Sequence, residues 1–255
     1  MSLKNTMENN KSLSVIIAAA GNSTRLGKPE LKSKQFLTLD EKPLLFYSLE
    51  KFSLLKNICE IIIVTNDISS TNKLIEKQNF FSNIKIVLGG ELRQDSVYNG
   101  FVEINNQCDL VLIHDVARPF FNISDVEKCI EIASKSGATV LATPVVDTLK
   151  KAKYNKDELI VDSTLDRNNL YLVQTPQVFS YKLLGKAYKR FRSSNNLKQP
   201  VAIFTDEGSM VEHMGESVNL VIGSRDNIKI TYLEDLEIAI RILQKTEKQK
   251  AHSSV

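Results

Sequence analysis

The chain has 255 residues, 42% of them hydrophobic, and a formal net charge of +3 at pH 7. That length suits one domain with an appendage, and the charge is too small to point to nucleic acid. No apolar run approaches the ~20 residues of a membrane span, and the polar opening, residues 1–12, lacks the apolar segment of a secretory signal.

Residues 1–12 read as a disordered tail. Residues 14–19 are an apolar, β-branched run, the pattern of a buried strand. The run turns abruptly into small residues, Ala20, Gly21, Asn22, Ser23 and Thr24, and then Arg25, with Lys34 further on. Small residues let backbone N–H groups approach a polyphosphate, and Arg25 and Lys34 can neutralise it. The loop carries neither the G-x-G-x-x-G of dinucleotide sites nor the G-x-x-x-x-G-K-[ST] of P-loops.

Residues 43–55 place Leu45, Leu49, Phe52 and Leu55 at helical spacing behind Pro43. Residues 60–65 and 84–88 are buried strands, and Val97, Phe101 and Ile104 mark a helix. Residues 110–114 are a fourth strand. Residues 124–135 are a helix with a Ser124/Glu127 capping box, and residues 138–145 a fifth strand. Strands alternating with amphipathic helices predict an α/β domain on a mainly parallel, Rossmann-like sheet. Such sheets place ligands at the C-terminal ends of their strands. Residues 21–25, 89–93 and 115–118 all follow strands, so the three loops converge on one crevice.

The alternation breaks at residues 146–169, which are polar and too long for an ordinary crossover. They read as a protruding β-arm of the kind that embraces a partner subunit. Residues 205–214 are a short helix, residues 217–223 a strand, and residues 231–244 a helix with a Thr231/Glu234 capping box. Residues 246–255 read as a second disordered tail, which leaves residues 13–245 as a single nucleotide-binding domain. Cys59, Cys108 and Cys129 lack metal spacing and read as reduced thiols in or near the core of a cytoplasmic protein.

Four groups carry the chemistry. Arg25 and Lys34 are the phosphate cations. Asp115 emerges at the end of an apolar strand, where a carboxylate beside a triphosphate suits Mg²⁺, and Arg118 anchors the loop or the nucleotide. Gly89, Gly90, Glu91 and Ser96 form a glycine turn into a helix that can read a base edge. His114 reads as a packed, hydrogen-bonded histidine. Asp166-Arg167, Thr175-Pro176-Gln177, Thr205-Asp206-Glu207 and Asp226 to Lys229 are weaker singly, since Thr and Asp before helices are commonly caps.

Together these groups resemble the 2-C-methyl-D-erythritol 4-phosphate cytidylyltransferases of the non-mevalonate isoprenoid pathway. The resemblance runs from Val15 to about Ala239. It rests on AAAGNSTRL, KQF, GGELRQDSV, HDVARPF, PVVDTLK, TLDRN, QTPQVF, TDEGS and DNIKIT, in family order. It implies a doubly wound sheet, a homodimer with exchanged arms, and CTP and a polyol phosphate as substrates. Gly21, Arg25 and Lys34 would surround the CTP phosphates, and Gly90, Glu91 and Ser96 would contact cytosine. Asp115 would hold Mg²⁺, and Arg118 would support the site. Thr148 and Arg167 would reach the partner's active site, where Thr205, Asp206 and Lys229 complete the acceptor pocket. Arg25, Lys34, Lys229 and Arg167 would then be catalytic. Two departures are visible: Ser23 stands where the family commonly has glycine, and the segment between Leu26 and Lys34 is slightly longer than usual. A ribitol-5-phosphate cytidylyltransferase shares the scaffold and the CTP motifs, but DTLK, TLDRN and TDEGS lean towards methylerythritol phosphate. A non-catalytic nucleotide-binding module would be expected to have lost Arg25, Lys34 or Asp115.

Overall fold

The computed structural model describes residues 11–21, 34–76, 78, 80–105, 108–194 and 203–253, without the side chains of residues 34, 192–194 and 249–253. Its centre is a seven-stranded sheet. The strands in chain order are β1 (Leu13–Ala18), β4 (Ile58–Thr65), β5 (Ile84–Leu88), β6 (Leu110–Asp115), β7 (Ala138–Pro144), β10 (Tyr171–Ser180) and β11 (Asn219–Ile222). Two small sheets stand apart: β2 (Thr38–Leu39) with β3 (Lys42–Pro43), and β8 (Leu149–Asn155) with β9 (Glu158–Leu165). The helices are α1 (Leu44–Phe52), α2 (Ile68–Ile75), α3 (Arg93–Val102), α4 (Ile123–Ser136), α5 (Tyr181–Ser194), α6 (Glu207–Glu212) and α7 (Glu234–Ser253).

The spatial order is β11-β7-β10-β6-β1-β4-β5. The chain winds outward from β1 through β4 and β5 on one side, and through β6 and beyond on the other. That is the doubly wound topology, with its switch point beside β1, where ligand crevices form. All neighbours pair in parallel except β10, which runs antiparallel between β6 and β7.

Both faces of the sheet are covered, which is why its inner strands read as unbroken apolar runs. Along β1, Val15 and Ile17 face one core and Ile16 the other; along β4, Ile61 and Ile63 face the first and Ile62 and Val64 the second. The first core receives α1 and α4 through Leu45, Leu49, Phe52, Val126 and Cys129. The second receives α3, α5 and α6 through Val97, Phe101, Leu184, Met210 and Val211. Phe52 is fully buried, stacked on Phe121 and edge-on to His114. Truncating such a side chain to Ala costs about 3–5 kcal/mol.

Several expectations shift. Ser12 belongs to the fold rather than to a tail, since its N–H and hydroxyl both reach Asp109 Oδ2 at 2.9 Å; residues 1–10 lie outside the description. The α4 cap is Asn122, so Ser124 lies inside the helix and its box is not formed. At α7, Asp235 rather than Glu234 reaches back, accepting from the N–H groups of Thr231 and Tyr232. This helix runs on to Ser253 through residues read as a tail. Lys, Gln and Glu are good helix formers, so the helix outlasts its apolar stripe. Cys108 and Cys129 are buried, whereas Cys59 is exposed at the start of β4. The arm is the β8–β9 hairpin, almost wholly exposed and paired only with itself.

Candidate active site

The loops after β1, β5 and β6 meet at the switch point. They enclose a cavity of about 320 Å³, lined by Ala18, Ala19, Ala20, Gly21, Asn66, Gly90, Glu91, Leu92, Arg93, Ser96, Asp115, Val116, Ala117 and Lys229. That is within the range of small-molecule sites. Close backbone approach explains the glycines. A Cβ on Gly89 would lie 2.4 Å from Ala20 Cβ, and one on Gly90 would lie 2.5 Å from Asp95 Cβ. The Ser96 hydroxyl accepts from Gly90 N–H at 3.0 Å and so holds the turn from the first coil of α3. Asn66 Nδ2 donates to the Ala20 carbonyl and ties the β4 loop to the β1 loop.

A second cavity of about 180 Å³ adjoins the first. Arg118, Val173, Gln174, Thr175, Gln177, Thr205 and Asp206 line it, and it shares Arg93, Asp115 and Lys229 with the larger one. The shared wall is an ion cluster. Asp115 is 7% exposed at the end of β6. Its Oδ1 accepts from Arg93 Nε at 3.0 Å and its Oδ2 from Lys229 Nζ at 2.5 Å. Arg93 Nη1 also donates to both oxygens of Glu207, at 3.2 and 2.9 Å. Burial opposes ionisation of Asp115, but Arg93 and Lys229 outweigh it and hold the carboxyl well below the usual carboxylate range.

Beneath Asp115, His114 is fully buried between the Ser48 and Thr175 hydroxyls, each 3.2 Å from a ring nitrogen. The Thr175 hydroxyl also accepts from Asp115 N–H at 3.0 Å. Burial pushes the imidazole down to about 3. His114 is therefore a neutral strut, as its apolar setting suggested. On the far wall, Asp206 caps α6 through Ser209 N–H and accepts from Gln177 Nε2 at 2.8 Å.

The structure thus brings together Gly21, Gly90, Glu91, Ser96, Asp115 and Lys229 on the larger cavity, and Thr205, Asp206, Arg118 and Lys229 on the smaller. Arg118 lines the smaller cavity rather than the larger one, because Asn227 and Val173 carbonyls take its guanidinium. Thr148 and Arg167 line neither cavity and are exposed on and beside the arm, where Arg167 Nη1 donates to the Val146 carbonyl. Arg25 and the side chain of Lys34 lie outside the described residues. Sequence reasoning gave no role to Arg93 or Asn66, and it named Glu207 only within the group Thr205-Asp206-Glu207, weak on its own. Arg93 carried a signal: a cation at a helix N-terminus opposes the helix dipole and needs nearby carboxylates.

Among the described residues no three His, Cys, Asp or Glu gather as metal ligands. Asp115 is the carboxylate on the wall common to both cavities, each of its oxygens taking one bond and keeping a second lone pair. That fits Mg²⁺, which binds through one or two carboxylates and substrate phosphates and keeps several waters. Among the same residues no helix is long and apolar enough to cross a membrane.

Comparison with known proteins follows the same lines. The family model for 2-C-methyl-D-erythritol 4-phosphate cytidylyltransferase matches residues 13–245. A protein of that name from Clostridium botulinum (strain Langeland) is 41% identical over 234 residues, 91% of this chain and 97% of the relative. One from Clostridioides difficile (strain 630) is 39% identical over 244 residues, 94% of this chain and 97% of the relative. The crystal structure of 4-diphosphocytidyl-2C-methyl-D-erythritol synthase from Anaerococcus prevotii superposes with a TM-score of 0.77 at 32% identity, covering 94% of this chain and 99% of that one.

Proposed function

The chain belongs to the 2-C-methyl-D-erythritol 4-phosphate cytidylyltransferase family, and from that premise we propose how its two adjoining cavities divide the reaction. The enzyme transfers CMP from CTP to 2-C-methyl-D-erythritol 4-phosphate, giving 4-diphosphocytidyl-2-C-methyl-D-erythritol and pyrophosphate. The larger cavity takes CTP, with Gly90, Glu91 and Ser96 at the base and Gly21, Arg25 and Lys34 at the phosphates. The smaller takes the acceptor phosphate between Arg118, Thr205, Asp206 and Lys229. The observation that carries this division is the wall of Arg93, Asp115 and Lys229 common to both spaces.

An oxygen of the acceptor phosphate attacks the α-phosphorus of CTP. The new P–O bond forms as the bond to the β-phosphate oxygen breaks, and pyrophosphate leaves with that electron pair. A phosphate dianion is already a nucleophile, so no general base is needed. Catalysis is then positioning and stabilisation of developing charge. Arg25, Lys34 and Lys229 supply the positive charge, and Asp115 aims Lys229 across the shared wall. Mg²⁺ held by Asp115 would neutralise and orient the triphosphate.

The arm is read as an exchange device. Tyr154 and Leu159 pair across the hairpin, as do Ala152 and Val161, which gives one apolar face. Tyr154 is 76% exposed and Leu159 64%. A lone hairpin of this kind is marginal in water and calls for a covering surface. A second copy, receiving Thr148 and Arg167 at its own acceptor cavity, supplies that cover. Within this reading the enzyme works in the cytoplasm, with which its three free cysteines agree.

The test is pyrophosphate release from Mg²⁺-CTP with methylerythritol phosphate and, separately, ribitol 5-phosphate. Much faster release with methylerythritol phosphate is expected. Faster turnover of ribitol 5-phosphate would sink the substrate assignment and leave the CTP site standing.

A further inference from the structure

Glu207 is a buried carboxylate that neither cavity uses. It is 1% exposed and lines neither space. Yet it takes two hydrogen bonds from Arg93, whose Nε holds Asp115 on the wall that both cavities share. The next residue of α3 acts in parallel: buried Gln94 accepts from Phe204 N–H through Oε1 at 3.0 Å. Phe204 and Glu207 flank Thr205 and Asp206, which line the smaller cavity. Consecutive side chains at the start of α3 therefore grip both ends of this wall, and the loop leading into α3 lines the larger cavity.

We infer that Glu207 is a positioning residue for the transfer: through Arg93 it fixes the Asp115 carboxylate opposite Lys229, and with Gln94 it seats the Thr205–Asp206 wall against the nucleotide loop. This rests on reading the smaller cavity as the acceptor site. A guanidinium is a planar fork, and two carboxylates on different elements leave it one orientation. With only Asp115 left, Arg93 can turn its fork onto both Asp115 oxygens and compete with Lys229 for Oδ2. Burial pushes the Glu207 carboxyl up, and Arg93 offsets only part of that rise. Keeping such a charge in the interior is weak evidence for stability, because its desolvation offsets the attraction, and better evidence for a set geometry.

The experiment is Glu207→Gln, which keeps shape and removes charge, with Arg93→Lys as a second variant and the double variant beside them. The expected result is a kcat lowered about tenfold or more and an acceptor KM raised several-fold, with the CTP KM within about twofold. The double variant should be no worse than the poorer single one, since residues acting as a unit are not additive. The Arg93 guanidinium N–H resonances should exchange faster in Glu207→Gln than in the parent, since Nη1 loses its charged acceptor while Nε keeps Asp115. Unchanged kinetics together with an unchanged Arg93 signal would overturn the inference, as would a loss confined to the CTP KM. A parent that turns over no methylerythritol phosphate would instead defeat the functional reading. The Arg93 signal, read without substrate, would still decide whether Glu207 holds the guanidinium.

Discussion

Lys229 Nζ lies 2.5 Å from Asp115 Oδ2, on the wall that the two cavities share. The two residues are far apart in the chain, and a strand end and a connecting loop bring them together. The pair sets an ionised carboxylate between two cations, because Arg93 holds the other oxygen.

Asp115→Asn should therefore do two things. It removes a charged ligand for Mg²⁺, and it lets Lys229 and Arg93 drift from a neutral amide. Metal-dependent CTP binding, followed by calorimetry with and without Mg²⁺, should weaken, and turnover should fall by about 10² or more. Chelation of the metal should abolish activity in the parent. If Asp115→Asn bound Mg²⁺-CTP and turned over normally, Asp115 would be only the end of a strand.

Arg25→Ala and Lys34→Ala should each lower kcat by roughly 10² or more with the melting temperature unchanged, because each stabilises charge rather than packing. Steady-state kinetics beside thermal melts separates the two effects. Near-normal turnover in Lys34→Ala would mean that the longer loop has moved this role, with Lys32 the first candidate.

The doubly wound sheet was legible because β1, β4 and β6 are apolar on both faces, a pattern that only a covered parallel sheet produces. The central strand β10 was not, since Gln174, Thr175 and Gln177 interrupt it with polar groups that the site itself uses. The helix α2 is built largely of Ser, Thr and Asn and is started by the Asp67 cap rather than by an apolar stripe. At the site, Asp115 stood out at the end of an apolar strand, whereas Lys229 took its role from the family resemblance. Glu207 did not stand out, because an acid in the first turn of a helix is what the helix dipole favours anyway.

His114 should make stability acid-sensitive. Its folded value, about 3, lies below the unfolded value near 6.5. The unfolded chain thus binds more protons between these values, and stability is lost as pH falls through that window. Between pH 7.5 and 5.0 this residue alone should cost about 2 kcal/mol of unfolding free energy. Urea titrations of the parent and of His114→Gln at both pH values check it. The Asp115 contribution is lost only at lower pH, since its carboxyl is held down rather than up. An equal pH effect in both proteins would show that His114 is not the source.

Active sites should be completed across the dimer. Arg167 lines neither cavity of its own chain, whereas Lys229 lines both. If the arm serves the partner, Arg167→Ala damages the partner's site and Lys229→Ala damages its own. Mixing the two inactive proteins creates heterodimers with two kinds of site. One combines both defects. The other joins an intact arm from the Lys229→Ala chain to an intact pocket from the Arg167→Ala chain. Random exchange makes about half the dimers mixed, and half of their sites are whole, so activity should recover to about a quarter of the parent level. Neither variant alone should show it. Exchange itself is checked with differently labelled subunits by energy transfer. Confirmed exchange without recovered activity would place Arg167 outside the partner's site and leave the arm a purely structural clasp.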